Sequence, residues 1–259
     1  MNLVEPSRGQ VLAFCALEPV ERVFLEDVAR RGLGRFTAVA APGGDLTALC
    51  HVGANVVPSG DGCEAFARPA ARGTARMIIG ETGAVSALWS AVRARLPEPR
   101  EDRRGQPVYT IAGPPEPGES GLRVATRADV DRLIPACAAA HELELGINPL
   151  ARDPDAFRWR TESQIDEGRS WLWLEDDVVL FKAEASAWTP AAVQIQQVWV
   201  DPEARGCGYG GRGMRDLCRL LLETTPIVTL FVRSENLPAI ALYESIGMKK
   251  ALEYRTVLF

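Results

Sequence analysis

The residues best suited to chemistry lie between Gln194 and Tyr243. Val198-Trp199-Val200-Asp201-Pro202 reads as the end of a strand, and Arg205-Gly206-Cys207-Gly208-Tyr209-Gly210-Gly211 follows it into a helical pattern. Glycines at a helix start leave backbone N–H groups open and remove the Cβ atoms that keep a ligand at a distance. The helix dipole adds its positive end at the same place. An anion suits such a turn, and a pyrophosphate is the natural occupant. Gly208–Gly213 also satisfies the G-x-G-x-x-G dinucleotide spacing. Asp201–Cys207 separate it from its strand, however, and too little chain follows Gly213 for a second mononucleotide half. No G-x-x-x-x-G-K-[ST] phosphate loop is present.

Tyr243 shares a helix face with Ala239, Leu242 and Ile246, so it is either a packing residue or, at the mouth of a cleft, a proton donor. The strand Val193–Val200 loses its apolar alternation at Gln196-Gln197, where a bulge would splay it from a parallel neighbour and free backbone groups for an amide-bearing ligand. Glu184 lies on the preceding strand, either as a base or as a surface carboxylate paired with Lys182 or an arginine. His141, Glu142 and Glu144 close the first helical stretch.

The elements that must hold these groups follow from periodicity and turn chemistry. The spacing predicts a strand at 122–126, helices at 128–142 and 155–165, and strands at 171–174, 178–187 and 193–200. A helix follows at 211–223, with Met214, Leu217, Cys218, Leu221 and Leu222 on one face. Next come a strand at 227–232, a helix opened by Asn236 and Pro238 and closed by Gly247, and a strand pair in 249–259. Before this, helices at 20–31, 63–71 and 82–96 alternate with strands at 36–41, 46–57, 76–79 and 108–111. The Pro, Gly and charge cluster of 96–121 marks a boundary, giving domains of 1–115 and 121–259. The first reads as a shortened version of the second, without a residue-level repeat.

Composition sets the frame. A chain of 259 residues with net charge −5, 47% apolar and 24% charged residues buries a sizeable core and has no basic stripe for nucleic acid. Six cysteines without a C-x-x-C pair, and only two histidines, assemble no zinc spacing and no disulfide framework. The opening residues lack a leader pattern and no apolar run has membrane-spanning length, so a cytoplasmic protein is expected.

Taken together, the glycine turn, the bulged strand and the Asn236–Tyr243 helix resemble the GNAT acyl-CoA N-acyltransferase superfamily over about 121–259. That resemblance implies a mixed α/β (α+β) fold whose central sheet splays into a cleft for coenzyme A. It implies that Arg205, Gly206, Cys207, Gly208, Tyr209, Gly210 and Gly211 surround the pyrophosphate and that Val198, Trp199 and Val200 lie along pantetheine. Asn236 and Tyr243 then sit by the thiol. Phe181-Lys182-Ala183-Glu184, Gln194-Ile195-Gln196, Asn236 and Val257-Leu258-Phe259 look like a bacterial subgroup in which a domain of unknown function precedes the GNAT domain. Val52-Gly53-Ala54-Asn55-Val56-Val57-Pro58 resembles that leading domain, which is readable as a degenerate GNAT copy. Gln197 stands where the subgroup has Gly, and Arg233 where it has Asn.

The expected function is acetyl transfer from acetyl-CoA to a small-molecule or peptide amine by direct attack, without a metal. Tyr243 is the expected acid and Glu184 the expected base, working through water. His141, Glu142, Glu144 and Gln196 would line the acceptor side. Two alternatives are a mycothiol-synthase-like tandem acetyltransferase and a non-catalytic acyl-CoA-binding module. The first domain lacks a pyrophosphate turn after Pro58, so one cofactor site per chain is expected.

Overall fold

The computed structural model describes residues 3–73 and 75–259; Met1 and Asn2, which open the stretch read for a leader, lie outside it. The first half runs β1 (Leu3–Val4), α1 (Arg8–Leu17), α2 (Val23–Arg30), β2 (Phe36–Ala40), β3 (Leu46–Val52), β4 (Asn55–Gly60), a 3₁₀ turn (Cys63–Phe66), α3 (Ala67–Arg72), β5 (Met77–Glu81), α4 (Thr82–Val92) and β6 (Glu101–Ile111). The second half runs β7 (Leu122–Val124), α5 (Val130–Leu145), α6 (Pro149–Arg152), α7 (Pro154–Asp166), β8 (Ser170–Glu175), β9 (Val178–Trp188), β10 (Val193–Val200), α8 (Tyr209–Leu222), β11 (Val228–Phe231), α9 (Leu237–Ser245) and β12 (Lys249–Leu258).

Local chemistry explains many of these boundaries. Ser7 and Gln10 form a capping box at α1, and Gly146 ends α5 in the left-handed region at φ 66°. Asp176 and Asp177, at φ 45° and 64°, make the two-residue turn that joins β8 to β9. Asn236 caps α9 through Ala239 N at 3.3 Å, Pro238 lies in the first turn, and Gly247 follows the helix at φ 90°.

The described strands form one mixed sheet in the order β1-β2-β3-β4-β5-β12-β6-β11-β10-β9-β8-β7. Read from its two edges, the order repeats: β1 to β5 answer to β7 to β11. In each half a single parallel pair interrupts the antiparallel ladder, β4 with β5 and β10 with β11. The last strand of each half has crossed over. β6, from the first half, pairs with β11, and β12, from the second, pairs with β5; the two then pair with each other at the centre. The exchange reaches into the cores. Val257 of β12 packs with α3 and α4 of the first half, while Tyr109 and Ile111 of β6 pack with α8 and α9 of the second.

Several differences from the sequence reading have physical causes. Residues 101–107, read as linker because of their charge, are the first half of an 11-residue strand. Their charges are matched within the sheet: Asp102 accepts two hydrogen bonds of 2.8 Å from Arg255 on β12. The expected strand at 46–57 is a hairpin, β3 and β4, and the expected closing strand pair is one strand, β12. Helix α1 went unread because only Val11, Phe14 and Cys15 of it are buried, a short apolar face.

Candidate active site

Strands β10 and β11 are in register only at Val193↔Val228 and Gln194↔Thr229; beyond that they part, and Ile195–Val200 have no partner on β11. The parting coincides with a bulge. The register against β9 shifts between Gln196 and Trp199, and Gln197 takes φ 54°, a left-handed backbone that costs a non-glycine residue roughly 1–2 kcal/mol. The Gln197 amide donates to Glu144 Oε2 at 2.6 Å, which offsets part of that cost. Thus the expected bulge is present although a glutamine occupies the glycine position.

The glycine turn divides its labour. Gly206 and Gly208 adopt φ 78° and 88°, and Gly208 is the N-cap of α8, where no side chain caps the helix. The first intrahelical bond is Arg212 N to Gly208 O at 3.0 Å, so the N–H groups of the first turn are free to face a ligand. Gly210 is packed: a Cβ there would come within 2.8 Å of Leu242 and 3.3 Å of Val200. Gly211 faces open space. Arg205 folds back to donate through Nε to the Val200 carbonyl at 3.3 Å, and Cys207 is exposed. Tyr209 stands edge-on to Trp173 at 4.7 Å.

Tyr243 is 6% exposed, and its hydroxyl has no hydrogen-bond partner among the described residues. Burial raises its pKa, and the nearby Cys218 and Glu144 add to the effect, so the phenol keeps its proton through the neutral range. Asn236 is committed as the α9 cap, about two helical turns before Tyr243. Val198 and Val200 face α8 and α9, whereas the Trp199 ring lies on the other face of the sheet against α5 and α7. Only the backbone of Trp199 can therefore serve the cleft.

The acceptor-side residues fall into two groups. Glu184 is 5% exposed and bound to the fully buried Lys182 at 2.6 Å, to Cys137 Sγ at 3.5 Å and to the Gln196 amide at 3.4 Å. Burial pushes its pKa up, but Lys182 and Arg160 outweigh that and hold the carboxyl below its ordinary value. Such a carboxylate is stably ionised and a weak proton acceptor. Glu144 instead lies across the mouth of the cleft. Its carboxylate meets Gln197 on β10, and its carbonyl accepts from Arg103 on β6 at 2.8 Å and from Arg233 just past β11. His141 is half-buried against Phe157 and lies electrostatically between Glu144 and Glu184, its pKa lowered by burial and then by Arg160. Glu142 is exposed and meets Asn148 at 3.3 Å, away from this group. Sequence reasoning missed Lys182 as a buried cation, and missed Arg103 because its strand was read as linker.

Among its described residues, the first half lacks the bulge that marks β10. Its β4 runs against β3 without a register shift, and its Gly60-Asp61-Gly62 turn enters a 3₁₀ turn. β4 and β5 are in register only at Asn55↔Met77 and Val56↔Ile78, a ladder as short as that of β10 and β11, but at Gly80 of β5 a Cβ would sit 3.0 Å from the Pro58 carbonyl, so the two strands are still close there. Counting from the helix caps Glu81 and Asn236, the position of Tyr243 is taken by the fully buried Leu88.

Residues 138–248 match the model of the Acetyltransferase (GNAT) family, and residues 34–133 match a Domain of unknown function (DUF4081). Mycothiol acetyltransferase of Mycolicibacterium smegmatis is 27% identical over 151 residues, which are 52% of this chain and 49% of that protein. This chain thus aligns with about half the length of that relative. A GCN5-related N-acetyltransferase from Sphaerobacter thermophilus superposes with TM-score 0.61 at 17% identity, over 98% of this chain and 94% of its own. A tandem GNAT protein from the clavulanic acid biosynthesis pathway superposes with TM-score 0.58 at 13% identity, over 99% of this chain and 98% of its own. At these identities the two structures speak to the fold.

Proposed function

We propose, from the match of residues 138–248 to the Acetyltransferase (GNAT) family model and of residues 34–133 to a Domain of unknown function (DUF4081), that this chain transfers an acetyl group from acetyl-CoA to an amine. The observation that carries this reading is the splayed β10–β11 cleft opening onto the uncapped first turn of α8, with Gly211 unobstructed. Those residues fit the cosubstrate: free N–H groups for a pyrophosphate, and strand backbone at Val198 and Val200 that β11 does not pair, the Val200 carbonyl being held by the Arg205 side chain, for amides. When bound, acetyl-CoA supplies an activated thioester.

The chain's own groups handle the protons. Tyr243, buried and protonated, is the donor beside the leaving thiol. An alkyl amine is mostly protonated near neutral pH, so a carboxylate must receive its proton. Glu144 supports this role better than the expected Glu184, which Lys182 keeps ionised and covered. Glu184 then serves through Gln196, as part of the floor under the cleft. Residues 1–115 lend β6 to this half, and among their described residues Asp61 and Leu88 stand where the second half has Cys207 and Tyr243, which supports a single cosubstrate site. The tandem sheet favours the tandem-acetyltransferase alternative in architecture, with one working cleft.

The test pairs acetyl-CoA with Gly211→Trp, whose Cβ would meet nothing within 4 Å. At a ligand concentration of ~100 Kd, wild type gains roughly 2.7 kcal/mol of stability and the variant gains none. An equal response in both, or none in either, refutes the site. Persistent binding with no acetylation of any amine would favour the non-catalytic alternative.

A further inference from the structure

The exchange of β6 brings charged residues of the first half to the acceptor mouth of the second. β6 continues past the end of β11, where Val232 N bonds to the Pro107 carbonyl, and reaches Arg103 beside Arg233. Arg103 is 9% exposed, and its Nε has no partner among the described residues. Between the two guanidinium groups lies the carboxylate of Glu101, 2.6 Å from Arg103 and 4.0 Å from Arg233. Glu101 is only partly covered, at 38% side-chain exposure. It behaves as an internal tenant of a two-arginine carboxylate site. Glu235 approaches Arg233 only at 4.0 Å and is itself exposed, and Asp102 is taken up by Arg104 and Arg255. Across the mouth stands the Glu144 carboxylate, close enough to Tyr243 to raise its pKa.

We propose that Arg103 and Arg233 bind a carboxylate of the acceptor while Glu144 faces its amine, so that this chain selects amines carrying a neighbouring carboxylate, such as free amino acids. Planar guanidinium groups match carboxylates in paired hydrogen bonds, and a cation pair facing an anion across a narrow mouth complements a zwitterion. The proposal rests on the acetyltransferase reading and deepens it. It also gives the leading domain a function, since Arg103 belongs to that half and selects the substrate of the other.

The experiment measures CoA thiol release with a panel of L-amino acids, each beside its own amide. Accepted amino acids should exceed their amides in kcat/KM by at least about tenfold, the size of one charge-assisted hydrogen bond. Arg233→Met should bring that ratio close to one by raising the acceptor KM while the KM for acetyl-CoA holds. Arg103→Met should do the same. Because Arg103 is buried, Glu101→Gln provides a variant that does not depend on its folding: with the tenant neutralised, the KM for amino acids should fall several-fold. Amides used as well as acids by wild type, or a Glu101→Gln variant whose amino-acid KM is unchanged or higher, would overturn the proposal. So would a panel with no turnover while acetyl-CoA still stabilises the protein. Loss of that stabilisation would instead overturn the acetyltransferase reading.

Discussion

The two halves share an order of elements and a place in one sheet, and in both the parallel pair is short, yet only β10 of the second half is bulged against its antiparallel neighbour where that pair ends. In the second half β10 shifts register against β9 at Gln194/Ile195 and again between Gln196 and Trp199, where Gln197 takes a left-handed backbone, and its pairing with β11 ends. In the first half β4 stays regular against β3, and Gly80 lets the Pro58 carbonyl come close. Both halves enter the next helix through two left-handed glycines without a side-chain cap, Gly206 and Gly208 in one and Gly60 and Gly62 in the other, but the first half sets Asp61 between them and continues only as a 3₁₀ turn. Where one holds a phenol, the other holds Leu88. On the proposed reading, the site depends on a bulge, the residues within the glycine turn and one helix position, while the rest of the architecture persists without them.

What the first half retains is a structural debt to its neighbour. Val257 lies in the core of the first half and Tyr109 in the core of the second, so each half needs a strand made by the other. The largest expected effect follows: a chain of residues 121–259, which lacks β6, will show no cooperative thermal transition, whereas the full chain will. A sharp melt from the short chain would break the exchange argument. Next in size, Tyr243→Phe should lower kcat by ~10²–10⁴-fold while leaving acetyl-CoA binding in place, the effect of removing a positioned acid. Leu88, its counterpart, has no hydroxyl to remove, and substituting it should alter stability without a catalytic signature.

The helix starts provide a finer contrast. Helix α1 is capped by uncharged Ser7 and Gln10, whereas the turn leading into α5 relies on Asp129, which accepts from Thr126 and Arg123. The Arg123 hydrogen bonds, opposed by burial and helped by Thr126, hold the Asp129 carboxyl well below its ordinary value. A depressed carboxyl contributes stability that is full above its unfolded pKa of roughly 3.9 and is lost as pH falls through the folded value. Asp129→Asn should cost about 1.5–3 kcal/mol at pH 7 and flatten the acid limb of stability below about pH 4 in pH-dependent melts. An acid limb unchanged from wild type would contradict this. The smallest effect belongs to Gln197→Gly. It relieves ~1–2 kcal/mol of backbone strain and loses a hydrogen bond of ~0.5–1.5 kcal/mol, so stability should shift by under about 1 kcal/mol, with acetyl-CoA binding kept. Loss of binding would show that the side chain, not the bulge, makes the cleft.

Much of this was legible in the chain. The α8 face, the Asn236 cap, Gly247 and the glycine turn are local signals, written within a few residues of one another, and the structure agrees with them. The bulge was legible as a break in alternation at Gln196-Gln197. The exchanged strands were not, because pairing between β6 and β12 joins residues far apart in sequence, and the charges of Glu101–Arg104 imitate a linker until Arg255 is opposite them. The burial of Glu184 was equally hidden. Alternation places it on a strand face, but only tertiary packing shows that Cys137 and Lys182 close over it.

The central claim is that one half of a repeated sheet holds the whole cosubstrate site. Calorimetric titration of the full chain with acetyl-CoA tests it most directly, run beside Gly211→Trp. One molecule bound per chain, and none by the variant, is the predicted result. Two molecules per chain, or binding that survives Gly211→Trp, would contradict it.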